Sequence, residues 1–525
     1  MDALTLLTDL LDGYSTTNFL IIYHTSILFI YLIHKLPKLV NILNYKVLLS
    51  KITKFFWVVT NYIPFVSKTI SHKINEVEKK IYLELNEPIK DIDKYTVLPN
   101  SQNPETIINQ LSILKNTNHS SIDKVSGAIY HNNQELDTFI TQIFPIFHRS
   151  NPLHPDIFPG VRKMETDLVH MTKSLFHGDV HSCGTVTSGG TESIMLACKT
   201  YRDYAFGKGI KQPEMVVATS AHAAFDKASQ YFNIKIVKIP VDKNTGRLDI
   251  NILKSKINKK TILIVGSAPS FPHGIVDPIQ EMSTIAKKYN IGLHVDCCLG
   301  GFILPFINCD FKFDFELEGV TSISADFHKY GLSPKGSSII MYRHKILLHY
   351  QYFVQSEWSG GIYATATMAG SRCGNVIAMT WASMLFTGKD GYQRNAKKIV
   401  KTVNYIYQEL SKINSIFVYG KPEICVIGIG SNILDIYLLN DKMEKLGWKL
   451  NALQFPPSIH LCVTLVHTKE EIRKKFIIDI KKCIQEIDGL PNTQKSSSIY
   501  GTSQKISNRD IVIEVSKRYL DCLYC

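Results

Sequence analysis

The chain has 525 residues, 45% of them hydrophobic, 10% aromatic and 20% charged. That length implies more than one structural unit with ample apolar material for packed cores, and the composition excludes disordered, collagen-like and disulfide-scaffold proteins. With 59 Lys and Arg against 46 Asp and Glu the net charge is +13, which raises the question of nucleic-acid binding.

Near the start, residues 17–33 (TNFLIIYHTSILFIYLI) carry no formal charge and lie at the short end of what spans a bilayer, roughly 17–25 residues. Asp2, Asp9 and Asp12 precede this segment, and Lys35, Lys38 and Lys46 follow it. The positive-inside bias places everything after it in the cytosol. A cleaved signal peptide competes with this reading, but the basic leader and small-residue cleavage site are missing. Residues 34–80 hold nine lysines and two acids, so they supply +7 of the net charge. Beside an apolar span that charge suits an anionic membrane surface, and no nucleic-acid partner is predicted. Residues 39–66, apolar with spaced lysines, read as an interfacial helix or linker. The predicted organisation begins with a membrane anchor and basic linker over 1–70, then an N-terminal arm over 71–175.

From about residue 180, short apolar runs alternate with helical stretches. Strands are predicted at 215–219, 234–239, 262–265, 292–295, 321–325 and 338–342, with helices at 192–206, 223–231 and 277–289. This alternation argues an α/β large domain over 176–388 with a mostly parallel sheet and its ligand at the strands' carboxyl ends. A break at 386–391 separates a smaller α+β domain over 389–525, with helices at 392–410 and 470–487 and strands at 424–429 and 459–466. A polar connector (491–503) leads to a last short helix. Eleven cysteines are scattered. The one CxxC, Cys522 to Cys525, has no partner pair, so no metal site is predicted. A reduced, cytosol-facing body fits this usage.

Four constellations fall at the ends of these elements. The turn from Thr187 to Ser193 (TSGGTES) opens a helix, so Gly190 and Thr191 are natural contacts for a phosphate. Asp296 ends an apolar strand and needs a partner, either a structural cation or a protonated ring nitrogen. Lys329, flanked by His328, follows the next strand and can form a Schiff base. His222, just after another strand, can stack on a flat ring. Taken singly, a capped helix, a salt bridge, a solvated lysine and a core histidine explain them. Taken in order on one sheet, they describe a holder for pyridoxal 5′-phosphate.

The segments CGTVTSGGTESIMLACK, SAHAAFDKAS, FPHGIVDP, HVDCCLGGF, SISADFHKYGLSPKGSS, GGIYATATMAGSR and LQFPPSIH resemble the sphingosine-1-phosphate lyases, membrane-anchored fold-type I pyridoxal-phosphate enzymes. The resemblance runs from about Val125 to the C-terminus. It implies that Lys329 is the imine lysine, Asp296 the ring-nitrogen partner and His222 the stacking residue. Gly190, Thr191 and His328 would hold the cofactor phosphate, with Asn151 also at the cofactor. It further implies roles near the substrate for Tyr130 and Lys335, and puts His154, Lys335 and Arg372 at the substrate phosphate. The implied reaction is retro-aldol cleavage of a phosphorylated long-chain base to a fatty aldehyde and phosphoethanolamine, with Tyr130 and Lys329 moving protons. A homodimer with shared active sites in the endoplasmic reticulum membrane is the corresponding expectation. Two positions depart from the family pattern: Phe327, where Thr is usual, and Cys297, where Ala is usual and an extra thiol would lie near the cofactor. An amino-acid decarboxylase on the same fold and an inactive membrane-tethered scaffold are the competing readings.

Overall fold

Segments such as 215–218 (MVVA) and 262–265 (ILIV) show no polar alternation, the pattern of strands covered on both faces. The computed structural model describes residues 64–90, 95–116, 122–488 and 509–524. It places those segments inside a seven-stranded sheet built from β1 (Cys183–Thr187), β2 (Glu214–Ala218), β3 (Lys235–Ile239), β4 (Thr261–Ser267), β5 (Gly292–Asp296), β6 (Ser322–Ala325) and β7 (Ser338–Tyr342). The order is β1-β7-β6-β5-β4-β2-β3. Only β7 runs against its neighbours, pairing antiparallel with β1 and β6. The remaining pairs are parallel. All six predicted strands form. β1 is an addition to them, hidden in a segment that reads as the approach to a glycine-rich turn.

Helices cover both faces. The helix Gly190–Gly207 follows β1 and buries Ile194, Leu196, Ala197 and Tyr201 against Met215, Leu263 and Tyr342. On the other face, Met282 and Ala286 of the helix Ile279–Tyr289 join Ile264, Leu293 and Ile323. Each fully buried aliphatic side chain of this kind contributes about 1.5–3 kcal/mol. The helices Ala224–Phe232 and Ile279–Tyr289 both end on a left-handed asparagine, Asn233 and Asn290, which turns the chain back toward the next strand.

After β7 comes an exposed hairpin of β8 (Phe353–Trp358) and β9 (Gly361–Thr365). The predicted break at 386–391 is a kink, because one helix runs Gly374–Leu410 and only Gly388, at φ 62°, leaves helical geometry. That positive φ suits glycine, and the helical pattern resumes beyond it. A second, antiparallel sheet follows, in the order β10 (Phe417–Val418), β11 (Val426–Gly430), β13 (Ser458–Cys462) and β12 (Asn451–Leu453). The second predicted strand of this region stops at Cys462, and residues 465–468 form a 3₁₀ turn instead.

The described residues divide into two units, one within 119–501 and one from the two ends of the chain. In the second unit the helices Pro64–Asn86 and Arg509–Tyr524 meet through Arg518 and Glu78, 3.2 Å apart. Among the described residues, no helix is long and apolar enough to cross a membrane. The apolar segment 17–33, most of the basic linker and the connector 491–503 lie outside them.

Candidate active site

Because β1, β2, β5 and β6 point the same way, the segments that follow them gather at one edge of the sheet. A cavity of about 420 Å³ opens there, lined by the turn 188–192, His222, Cys298 and the Asp326–Lys329 segment. The helix after β1 starts at Gly190, and its N-cap residue Gly189 offers no side-chain cap, so the first amide N–H groups face the cavity unsatisfied by capping. Below this start, Thr187, Ser193 and Ser338 form a buried chain of hydroxyls at 2.7 and 2.9 Å. Ser338 ends the chain by donating to the Ala325 carbonyl.

Gly190 is fixed by close approach. A Cβ there would sit 2.8 Å from both Asp326 Oδ1 and the Cys298 sulfur. Gly190→Ala should therefore overpack the cavity wall, at about 1–3 kcal/mol, and weaken cofactor retention by about tenfold or more. Dialysis followed by absorbance of the retained cofactor checks this; wild-type retention would show that the wall can yield.

Lys329 Nζ lies 2.9 Å from Asp326 Oδ2, and His328 Nε2 lies 3.6 Å from the same oxygen. Burial alone would raise the Asp326 carboxyl, yet the Lys329 ammonium, with His328, outweighs it and holds the group well below the usual carboxylate range. Burial opposes the charge on Lys329, but the Asp326 carboxylate reverses the effect and pushes the amine well above the ordinary lysine value. Asp296 sits at the end of β5, where its Oδ1 accepts the Cys298 amide at 3.0 Å. Behind it, burial and then the Asp296 charge push the Asp277 carboxyl up to about 7, while Asp277 Oδ2 accepts the Ser267 amide. His294 is pushed down to about 4 by burial and spans Ser322 and Ser324, so it is a neutral core histidine.

Tyr130 and Lys335 stand together: the Lys335 ammonium lies 4.6 Å from the centre of the Tyr130 ring and donates to the His328 carbonyl. Burial, with the Cys462 thiol adding to it, pushes the Tyr130 phenol far above its ordinary value, so it rests neutral. Tyr330 packs edge-on against it at 5.0 Å.

Asn151, His154 and Arg372 form a separate group that does not line the cavity. Asn151 Oδ1 accepts the amides of Leu153 and Arg372, and its Nδ2 donates to Ser371. The Arg372 guanidinium makes a bidentate pair with Glu165 at 2.7 and 3.0 Å. His154 is exposed. Phe327 is fully buried against Phe302, so that position offers no hydroxyl to a ligand. Of the two adjacent thiols, Cys298 lines the cavity whereas Cys297 is sunk in the main core. Asp326, the direct partner of Lys329, was not singled out by sequence; its signal was an acid directly after a strand, the feature that drew attention to Asp296. A second cavity of about 290 Å³ lies at the opposite edge, where Arg343 is already tied to three backbone carbonyls.

The model of the pyridoxal-dependent decarboxylase conserved domain matches residues 128–429. A sphingosine-1-phosphate lyase of Mus musculus is 44% identical over 90% of this chain and 85% of its own length. The chain belongs to the sphingosine-1-phosphate lyase family. A solved lyase of that name from Burkholderia pseudomallei is 34% identical, covers 75% of this chain and 94% of its own, and superposes with a TM-score of 0.73. A glutamate decarboxylase of Lactobacillus brevis, 22% identical with a TM-score of 0.67 over 76% of this chain and 96% of its own, shares the fold alone. Members of this family use pyridoxal 5′-phosphate, and the residues here fit it. The uncapped helix start, the space that only glycine leaves at 190 and a half-buried lysine paired to a buried carboxylate beside one cavity match the needs of a phosphate and a reactive carbonyl.

Proposed function

We infer that the chain is a pyridoxal 5′-phosphate-dependent lyase that cleaves the C2–C3 bond of sphingosine 1-phosphate and related phosphorylated long-chain bases, giving a fatty aldehyde and phosphoethanolamine. The observation that carries this is Lys329 paired to Asp326 in a cavity closed by the Gly190 helix start, in a chain 44% identical to a lyase of that name. Gly190, Thr191 and His328 would hold the cofactor phosphate, Asp296 the ring nitrogen and His222 the ring face, the arrangement of a fold-type I enzyme. When bound, the cofactor supplies an electron sink for the carbon left by bond cleavage.

The chain's own groups do the rest. Lys329 Nζ is the amine placed for bonding to the cofactor carbonyl. Tyr130, a neutral phenol, would hydrogen-bond the reacting hydroxyl with Lys335 beside its ring, and the Lys329 amine, once displaced by the substrate amine, would take the hydroxyl proton and return one to the carbon left by cleavage. His154, Lys335 and Arg372 would grip the substrate phosphate, and Asn151 fixes the backbone that carries Arg372. A homodimer would bring this second group to a neighbouring cavity. The exposed hairpin supports that assembly, since Val354, Trp358 and Ile362 are 61%, 55% and 78% exposed.

Incubation with a phosphorylated long-chain base should yield aldehyde and phosphoethanolamine in equal amounts. Carbon dioxide from an amino acid, with no aldehyde, would assign a decarboxylase instead. The same reading anchors the enzyme in the endoplasmic reticulum membrane through residues 17–33, with the catalytic unit in the cytosol. Deleting residues 1–63 should move the protein from the membrane pellet to the supernatant with cleavage of detergent-presented substrate retained. Pelleting of the truncated chain would place the attachment elsewhere.

A further inference from the structure

The cavity holds a charge arrangement that the roles above leave unused. Asp326 is 1% exposed, and its carboxylate is shared between Lys329 and His328. Lys329 is 22% exposed and reaches the cavity. The segment leaves little freedom to either group: the amides of His328 and Ser333 donate to Ser337 and Phe327, and Phe327 anchors the turn in the core. Space above Oδ1 is closed by the backbone at Gly190.

An amine must lose its proton before it can bond to a carbonyl carbon, and a buried carboxylate 2.9 Å away favours the proton's retention. We propose that Asp326 is the resting counter-ion of Lys329, a positioning residue that holds the unbonded lysine as an ammonium at the cavity wall and sets the pH at which its amine becomes available. This rests on reading the cavity as a cofactor site. Asp296 has a separate task, because its carboxylate is engaged by the Cys298 amide at the end of β5, whereas Asp326 is within hydrogen-bond distance of Nζ.

The other charged and titratable groups near the pair act in known directions. From the same segment come His328, at 3.6 Å from Asp326, and Lys335, which burial and then Lys329 lower. From other elements, Tyr130 and Cys298 face Lys329 and are neutral at ordinary pH, since burial raises both. His222 and Glu192 complete the lining, with Glu192 engaged by Ser188 and by the Met368 amide. Asp326 is therefore the one acid in ion-pair contact with Lys329 among the described residues. Its loss leaves the half-buried ammonium without its carboxylate partner.

The test is competitive acetylation of the cofactor-stripped full-length protein with trace acetic anhydride across about pH 6 to 11, with the Lys329 peptide quantified by mass spectrometry. In wild type the labelling should still be rising at the top of that range, whereas in Asp326→Asn the midpoint should drop toward or into it, by about one to three pH units, the range for loss of an adjacent opposite charge. Asp326→Ser, smaller and free of any clash beneath Gly190, should shift it in the same direction. Recombination of each variant with pyridoxal 5′-phosphate should then reach its half-maximal rate at correspondingly lower pH. A midpoint unchanged from wild type in both variants, or labelling reduced equally at every pH, would overturn the proposal and leave Asp326 a packing residue. Adding pyridoxal 5′-phosphate to the wild-type protein should protect Lys329 from acetylation. Absence of protection would reject the cofactor reading while leaving the counter-ion measurement valid.

Discussion

Lys329→Ala should abolish turnover, by at least about 10³-fold, in a protein that still folds. The large effect follows from position: Lys329 Nζ is the only amine among the described residues both lining the cavity and paired to a buried carboxylate. General acid–base contributions of single groups run about 10²–10⁴-fold, and this lysine combines such a role with attachment of the cofactor. The fold should tolerate the change because the side chain lines an opening and closes no core contact. One cost is specific. Asp326 would lose its ammonium partner and keep only His328 at 3.6 Å, so its carboxyl should rise toward the neutral form that burial favours. The sign fixes the pH dependence of stability. In wild type the depressed Asp326 value stabilises the fold above the unfolded carboxylate range, and this contribution is lost as pH falls through the folded value. In Lys329→Ala that neutral-pH advantage shrinks, so the variant's thermal midpoint should fall most near neutrality and converge on wild type in acid. Circular dichroism melts of the cofactor-stripped proteins at several pH values, alongside aldehyde release from the loaded ones, separate the two effects. More than a few per cent of wild-type cleavage from a folded sample would remove Lys329 from the proposed mechanism.

The parts of this site that local sequence encodes were legible, and the parts made by tertiary approach were not. Uninterrupted apolar runs marked β2 and β4 because strands of a covered parallel sheet have no solvent face to record, while the edge strand β3 shows its lysines. β1 escaped because CGTVT is short, contains a glycine and runs directly into the turn it supports. The predicted break at 386–391 holds Gly388, whose positive φ would end most helices, but the apolar pattern on either side packs on one core and carries the helix through. At the site, the helix start at Gly190, Asp296 and Lys329 each announced themselves at a strand's end. The tie between Asp326 and Lys329 did not, because spacing alone cannot say whether two residues three apart turn toward each other after a strand. Likewise the Arg372–Glu165 pair joins residues 207 positions apart, and no local pattern encodes it.

Asp296→Asn should lower turnover nearly as far as loss of the lysine while leaving the cofactor bound more weakly, and the reasoning separates charge from shape. Asp296 Oδ1 accepts the Cys298 amide at 3.0 Å, and an asparagine oxygen can accept the same bond. The backbone is held independently, because the Asp296 carbonyl accepts the Ala268 amide and the residue pairs with both Ser267 and Ser324 across the sheet. The substitution therefore removes a negative charge with little change in shape. A neutral amide cannot keep a ring nitrogen protonated, so the electron sink weakens, with an expected loss on the order of 10²–10⁴-fold in kcat. A second readout lies inside the protein. The Asp296 charge helps push the buried Asp277 carboxyl up to about 7, so the asparagine variant should bring Asp277 down. A raised acid value stabilises the fold below the unfolded value and loses that contribution as pH rises through the folded one. The variant should accordingly lose less stability than wild type between about pH 4 and 7, measured as the change in thermal midpoint. Near-normal kcat together with that flattened pH profile would mean the charge is felt by Asp277 but not by the reaction, and Asp296 would be a structural residue.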